Sequence, residues 1–262
     1  MCSAVVTIDN NWLESNRNAK SDQPLATHAM EYSGKPIGSL RILQAVQKTT
    51  KLAVQTLQGA VGRSWVKLEA FSKNVGTGIA ALNIPRLPHV TYETVRSIAA
   101  LREHDGKSGG LWRRVVKAAM QTFGAVAAYG YFAAFATGNP VAMVAAQAAD
   151  LTSDIASLHL SADDYNRSTE LEAVAQGDVK EVLTHSRKYH YLSVIKDVIG
   201  IVTAVAGIAI MAVGYPFIPA VILTIVAVVG VIIAVIKDLH KEMGRYKVVE
   251  FEQAVQLAST AS

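Results

Sequence analysis

The sequence predicts an all-α membrane protein built around an apolar helical hairpin, with amphipathic helices and a disordered polar N-terminus beside it. Three observations carry that expectation. Residues 198–236 run for 39 positions without a charged side chain, and 118–149 form a second charge-free block. The segment Gly-Tyr-Pro-Phe-Ile-Pro at 214–219 divides the longer block into two helix-length arms. Basic residues then crowd both of its ends.

Composition agrees with this division. Hydrophobic residues make up 51% of the 262 and charged residues only 18%, against about 25% in ordinary globular domains. The shortage is concentrated in the two charge-free blocks. A single cysteine, Cys2, excludes an internal disulfide framework and a multi-cysteine metal site, and fits a reducing compartment. The net charge of +4 and pI near 9.1 suit nucleic acid or an anionic membrane surface. The first residues lack a basic stretch followed by an apolar run, so a secretory signal peptide is not expected. Residues 1–38 are Asn- and Ser-rich and are expected to be disordered.

Residues 39–104 form a basic amphipathic region. Ser39 is placed as an N-cap, and from Leu40 to about Val75 apolar residues recur at Leu43, Val46, Val54, Leu57, Val61, Trp65, Leu68, Phe71 and Val75. Most steps are three or four, which defines one helix stripe. The opposite face carries Arg41, Lys48, Lys51, Arg63, Lys67 and Lys73 against one acid, Glu69. Such a helix either lies in a headgroup layer, each cation contributing on the order of 1 kcal/mol near anionic lipid, or packs in a bundle with solvated lysines. Pro85 and Pro88 stop it, a short helix over 92–103 follows, and the Gly/Ser-rich stretch 104–110 is the best boundary in the chain.

Residues 111–191 hold an Ala-rich helical pair and a polar connecting helix. The first apolar helix reaches Thr137, long enough for a bilayer, and Gly138-Asn-Pro140 turns the chain. The second starts at Val141 and has nine residues before Asp150. Asp150 and Asp154, four apart, share a helix face, with His159 beyond them. They read either as a proton or cation site in the membrane or, preferentially, as acids of a helix leaving the apolar zone into water. Ser161 is placed as the cap of a new helix with Asp163 and Asp164 in its first turn, and Gly177 interrupts that helix.

Residues 192–247 are the hairpin. Its arms, 198–213 and 220–236, span about 25 Å as helix, slightly short of the roughly 30 Å hydrocarbon core, and Tyr189 to Ile195 lengthen the first. Gly214, Pro216 and Pro219 make the turn. Val and Ile dominate, and these are mediocre helix formers in water. Two consecutive all-apolar helices would also need more protein around them than the remaining residues supply. Lipid is therefore the expected solvent. Arg187, Lys188 and Lys196 precede the hairpin, and Lys237, Lys241, Arg245 and Lys247 follow it. By the positive-inside rule both ends face the cytosol, which leaves 248–262 as a cytosolic tail.

Motifs for nucleotide, serine-hydrolase and zinc-protease chemistry are absent. Gly76-Thr-Gly78 is too short to cradle a phosphate, and His185 and His190, five apart, do not share a helix face. No catalytic residue, cofactor or metal is expected. Nucleic acid is excluded because Trp65 and Phe71 belong to the apolar stripe. The expected partners are the lipid bilayer, anionic lipid headgroups and a protein of unknown identity, with homo-oligomerisation left open.

A paired apolar segment at Val198 to Ile236 with both tails cytosolic, together with the polar start Met1 to Pro24, resembles the inclusion membrane proteins of chlamydiae. The resemblance implies type III secretion from a disordered N-terminus, insertion into a host-derived vacuole membrane, and cytosolic helices that recruit host proteins. The Ala-rich block 118–149 departs from that pattern. Pore-forming toxin domains of the colicin type also hide a charge-free hairpin, which would imply a soluble form that inserts on acidification. The peroxisomal membrane-elongation family combines an early basic amphipathic helix with later membrane segments, which would imply tubulation of liposomes by residues 39–75.

Overall fold

The computed structural model describes residues 10–18, 21–61, 84, 86–102, 108–213 and 217–249. Its described elements are α1 (Asn10–Ser15), α2 (Leu25–Gly34), α3 (Pro36–Val61), α4 (Arg86–Arg102), α5 (Ser108–Thr137), α6 (Pro140–Val174), α7 (Gly177–Val213) and α8 (Phe217–Met243). Among the described residues there is no strand, only an isolated antiparallel bridge between Arg17 and Tyr246. The expected all-α class is what forms.

The helices pack serially. α4 lies on α5, α5 on α6, α6 on α7, α7 on α8, and α3 returns to cover α8. Cross-contacts show each neighbouring pair to be antiparallel. Thr94 donates to the Gln121 carbonyl (3.1 Å) and Arg114 to that of Ala100 (3.2 Å). Ser153 donates to the Met120 carbonyl (3.0 Å), while Tyr131 reaches Asp150 (3.1 Å). The two charge-free blocks therefore lie side by side at one end of the bundle, and the charged stretches of α5 to α8 gather at the other.

Gly138-Asn-Pro140 acts as stop, cap and start. Gly138 adopts φ +65°, the left-handed conformation that ends a helix without a Cβ penalty. The Asn139 side chain accepts the Val141 N–H (2.9 Å), and Pro140 opens α6 where no donor is required. Gly177 (φ +57°) serves the α6–α7 corner.

Three expectations are corrected. α6 does not restart at Ser161: it is one helix of 35 residues. Ser161 is buried at mid-helix and donates to Asp197 of α7 (3.1 Å), so a cross-helix acceptor satisfies the hydroxyl that a cap would have used. The helix expected over 92–103 begins at Arg86, because Pro88 falls in the first turn, where its missing N–H costs nothing. Residues 10–15 and 25–34 are helical rather than disordered. Leu13 packs on the cluster of Val182, Tyr246 and Val249, and Tyr32 is buried with its hydroxyl on Asp238 (3.1 Å). Tertiary contact supplies what short polar helices lack in isolation. The part of the expected 40–75 helix beyond Val61 lies outside the described residues.

Candidate functional site

The apolar end is packed inside out. On α7, Val198, Val202 and Val205 are exposed. On α8, Ile222, Ile225, Val229, Ile232 and Ile236 form an exposed stripe at helical spacing. The residues turned inward are small or polar: Ala204 and Gly207 on α7, Thr224 and Ala234 with the single larger Val231 on α8. α5 and α6 repeat the arrangement, with Phe123, Val126, Phe132, Val141 and Val144 outside and Ala127, Ala134 and Ala146 inside. A Cβ on Gly130 would stand 2.9 Å from that of Ala146, and one on Gly230 would stand 2.8 Å from Ile199. Water-soluble bundles bury large side chains. Small residues at helix contacts with branched residues outside are what packing in lipid selects.

Among the described residues, two helices are long and apolar enough to cross a membrane, over Gly177–Ala209 and Val221–Met243. Only 22% and 17% of their most apolar windows are buried by the rest of the protein.

At the foot of this zone the polarity inverts. Asp197, 1% exposed, accepts Ser157 (2.9 Å), Ser161 (3.1 Å) and Lys196 (2.6 Å). Lys196 also pairs with Asp154 (3.8 Å), whose carboxylate lies against the bare backbone of Gly200. Burial pushes Asp154 up to about 7; Lys196 opposes the shift, and Asp150 and Asp197 add to it. One turn further, Asp150 accepts the Tyr131 hydroxyl (3.1 Å). Arg113 forks onto Asp163 (2.9 Å) and Asp164 (2.6 Å), and Arg187 pairs with Glu172 (3.0 Å). These pairs fix the register of α5, α6 and α7 by charge where small residues fix it in the apolar zone.

The first and last described segments join at the same foot. Asn18 donates its N–H to Arg245 (2.7 Å), Lys247 donates to Asn16 (3.0 Å), and the Val249 N–H finds Ser186 (3.0 Å). Lys35 pairs with Glu242 (3.0 Å).

The basic residues singled out on α3 divide. Arg41 is half-buried, and Lys51 is exposed. Lys48 turns toward α8, with its ammonium 3.4 Å from the Ala227 carbonyl. Its pKa is lowered, first by burial and then by Arg41, with Asp150 acting against the shift. Gln55, seven residues on, accepts from Thr224 (2.8 Å). The face that carries Lys48 and Gln55 thus meets α8. Ile42 and Val46 are exposed, although Leu40 and Val54 are buried. Arg63, Lys67, Lys73, Gly214 and Pro216 lie outside the described residues, and Pro219 is the third residue of α8.

Asp154 does not enter water, as expected of it, but is held at the α6–α7 contact. Asp197 and the contact between the tilted rings of His185 and His240 (centroids 4.3 Å apart) were not singled out from sequence. Their partners lie 36 to 55 residues away, and only the isolated acid at the edge of an apolar run hinted at the first. Among the described residues no three metal-binding side chains converge. No family model, curated protein or solved structure matches this chain.

Proposed function

We propose that the protein is a non-enzymatic membrane anchor and display platform. The α7–α8 hairpin crosses or enters a bilayer, and the charged foot, with both chain ends, presents helical surface to cytosolic partners. The observation that carries this reading is the inverted packing, in which branched apolar side chains face outward on both arms. By the positive-inside rule the basic flanks support a cytosolic foot. Resemblance to inclusion membrane proteins extends the reading to a host-derived vacuole membrane and recruitment of host proteins there.

Extraction of membranes with alkaline carbonate tests it. The intact chain should stay in the pellet, whereas a chain lacking residues 192–240 should leave it. Val205→Arg with Val229→Arg should also release the protein, since each central arginine costs about 2.5–3.5 kcal/mol on insertion scales. Retention of the double variant would refute the anchor.

The contact of α3 with α8 supports a second reading, a pore-forming effector whose hairpin is clasped until it inserts. Lys48 and Gln55 lie along the arm that would have to be exposed. Vesicle leakage that appears only on acidification would favour this reading over a permanent anchor.

A further inference from the structure

We propose that the contact between α6 and α7 conducts protons along the hairpin, between the charged foot and the apolar end. One face of α6 carries Gln147, Asp150, Asp154, Ser157 and Ser161, in steps of three and four that make a single polar stripe. From Gln147 to Ser161 the stripe covers about 21 Å of helix. Asp154 lies against Gly200 and Gln147 against Gly207, so the stripe runs beside the charge-free arm of α7 rather than below it. Packing alone does not ask for this, since small apolar residues already close the α5–α6 contact at Gly130 and Ala146. Ionisable groups held between membrane helices are suited to moving a proton.

The line begins at water. A cavity of about 240 Å³ at the foot reaches Ser157, Ser161 and Asp197, with room and polar partners for water. Asp197 accepts both serines, and Lys196 bridges it (2.6 Å) to Asp154 (3.8 Å). The charges that act on Asp154 are Asp150 on its own helix, Lys196 and Asp197 on α7, and Arg41 on α3. Asp150 follows one turn on, with the Tyr131 hydroxyl on it at 3.1 Å. Beyond it stands Gln147, whose Oε1 is buried without a hydrogen-bond partner among the described residues. An acceptor left open inside a bundle marks a place for a transient donor such as water. Ile199 meets Gly230, so on antiparallel arms Gly207 comes level with Ile222, two residues from Thr224. Thr224 donates to Gln55 of α3 (2.8 Å), which carries polar contact to the same height.

The occupied carboxylates favour a proton over a metal ion. A metal ion would need them free, but Lys196, Tyr131 and the two serines already bond to Asp197 and Asp150. A proton needs no vacancy, because it advances as one O–H or N–H bond forms and the previous one breaks. Lys196 gives its proton to Asp154 and regains one from water in the cavity. Asp154 passes the proton to Asp150, and the line returns to its starting charge when Asp150 releases it toward Gln147.

This inference rests on the anchor reading, and the test separates the two. The full chain is reconstituted into potassium-loaded vesicles that contain the pH dye pyranine. Valinomycin in choline medium then sets a potential that drives protons inward. Proton uptake above that of protein-free vesicles is expected. Asp154→Asn and Asp150→Asn should each return it to the protein-free rate, whereas Glu181→Gln, at a surface carboxylate off the line, should leave it intact. No uptake above protein-free vesicles would overturn the path, and so would uptake unchanged in both asparagine variants. A signal that appears only when sodium replaces choline would assign the line to a metal ion and overturn the proton. Should an asparagine variant fail to fold, dicyclohexylcarbodiimide on the wild type takes its place, because it adds to protonated carboxyls in apolar surroundings. Uptake that persists once Asp154 is modified would overturn the path. Carbonate extraction of the same vesicles reads insertion separately: inserted protein without uptake fails the path alone, and extracted protein fails the anchor as well.

Discussion

Asp154 can occupy the α6–α7 contact only because residue 200 has no side chain. A Cβ on Gly200 would collide with the Asp154 carboxylate. Gly200→Ala should therefore destabilise the bundle by about 1–3 kcal/mol. In an Asp154→Ala background the same change should do much less, and thermal unfolding of the four proteins would measure that coupling. The carboxyl also titrates unusually. Its folded pKa of about 7 lies above the ordinary carboxyl value of 3.8, so its favourable contribution is complete below pH 3.8. That contribution is lost as pH rises through 7. Unfolding temperatures of the wild type should accordingly fall relative to Asp154→Asn as pH is raised from 4 to 7. Parallel curves for the two proteins would contradict the raised pKa.

At the scale of elements, the helices use two different means to hold register. In the apolar half they approach through Gly130, Ala146 and Gly230, and in the polar half they pair through Arg113, Asp164, Glu172 and Arg187. Gly130→Val puts methyl groups where the Ala146 Cβ already stands, and should lower stability by about 1–3 kcal/mol without altering helix content. Circular dichroism with a melting curve checks both parts. α3 shows how a correct element can be turned the wrong way. Periodicity placed Val46 on the packing stripe, yet it is exposed while Lys48 faces α8. Both faces of that helix offer groups that another helix can accept, so spacing alone does not choose between them.

The molecule as a whole is polarised from end to end. Among the described residues, the charge-free stretches of α5 to α8 are at one pole, and the ion pairs that link α5, α6 and α7, with the segments around Asn18 and Val249, are at the other. Tyr246, 5% exposed, joins Val182 and Val249 under the N-terminal segment, with Leu13 packed against them. Tyr246→Ala should cost about 3 kcal/mol or more and open both terminal segments to protease together. In sealed vesicles that hold the protein, cleavage sites placed at Lys20 and Lys247 should be cut from the same side. Cleavage of one from outside and the other only after lysis would contradict a common pole.

The amino-acid sequence by itself determined the helical class, the two apolar blocks, the Gly138-Asn-Pro140 turn and the separation of the hairpin arms. These are local properties: charge is absent over a span longer than a helix needs, and turn residues act within four positions. Only the tertiary structure decided that the two blocks lie side by side, that α6 runs unbroken through Ser161, and that the polar N-terminal residues fold. Each of those outcomes depends on partners far away in the chain. Asp197 satisfies Ser161 from 36 residues beyond it, and Tyr32 meets Asp238 across 206. A hydroxyl or a short polar helix looks like a cap or a disordered segment until such a distant partner reaches it.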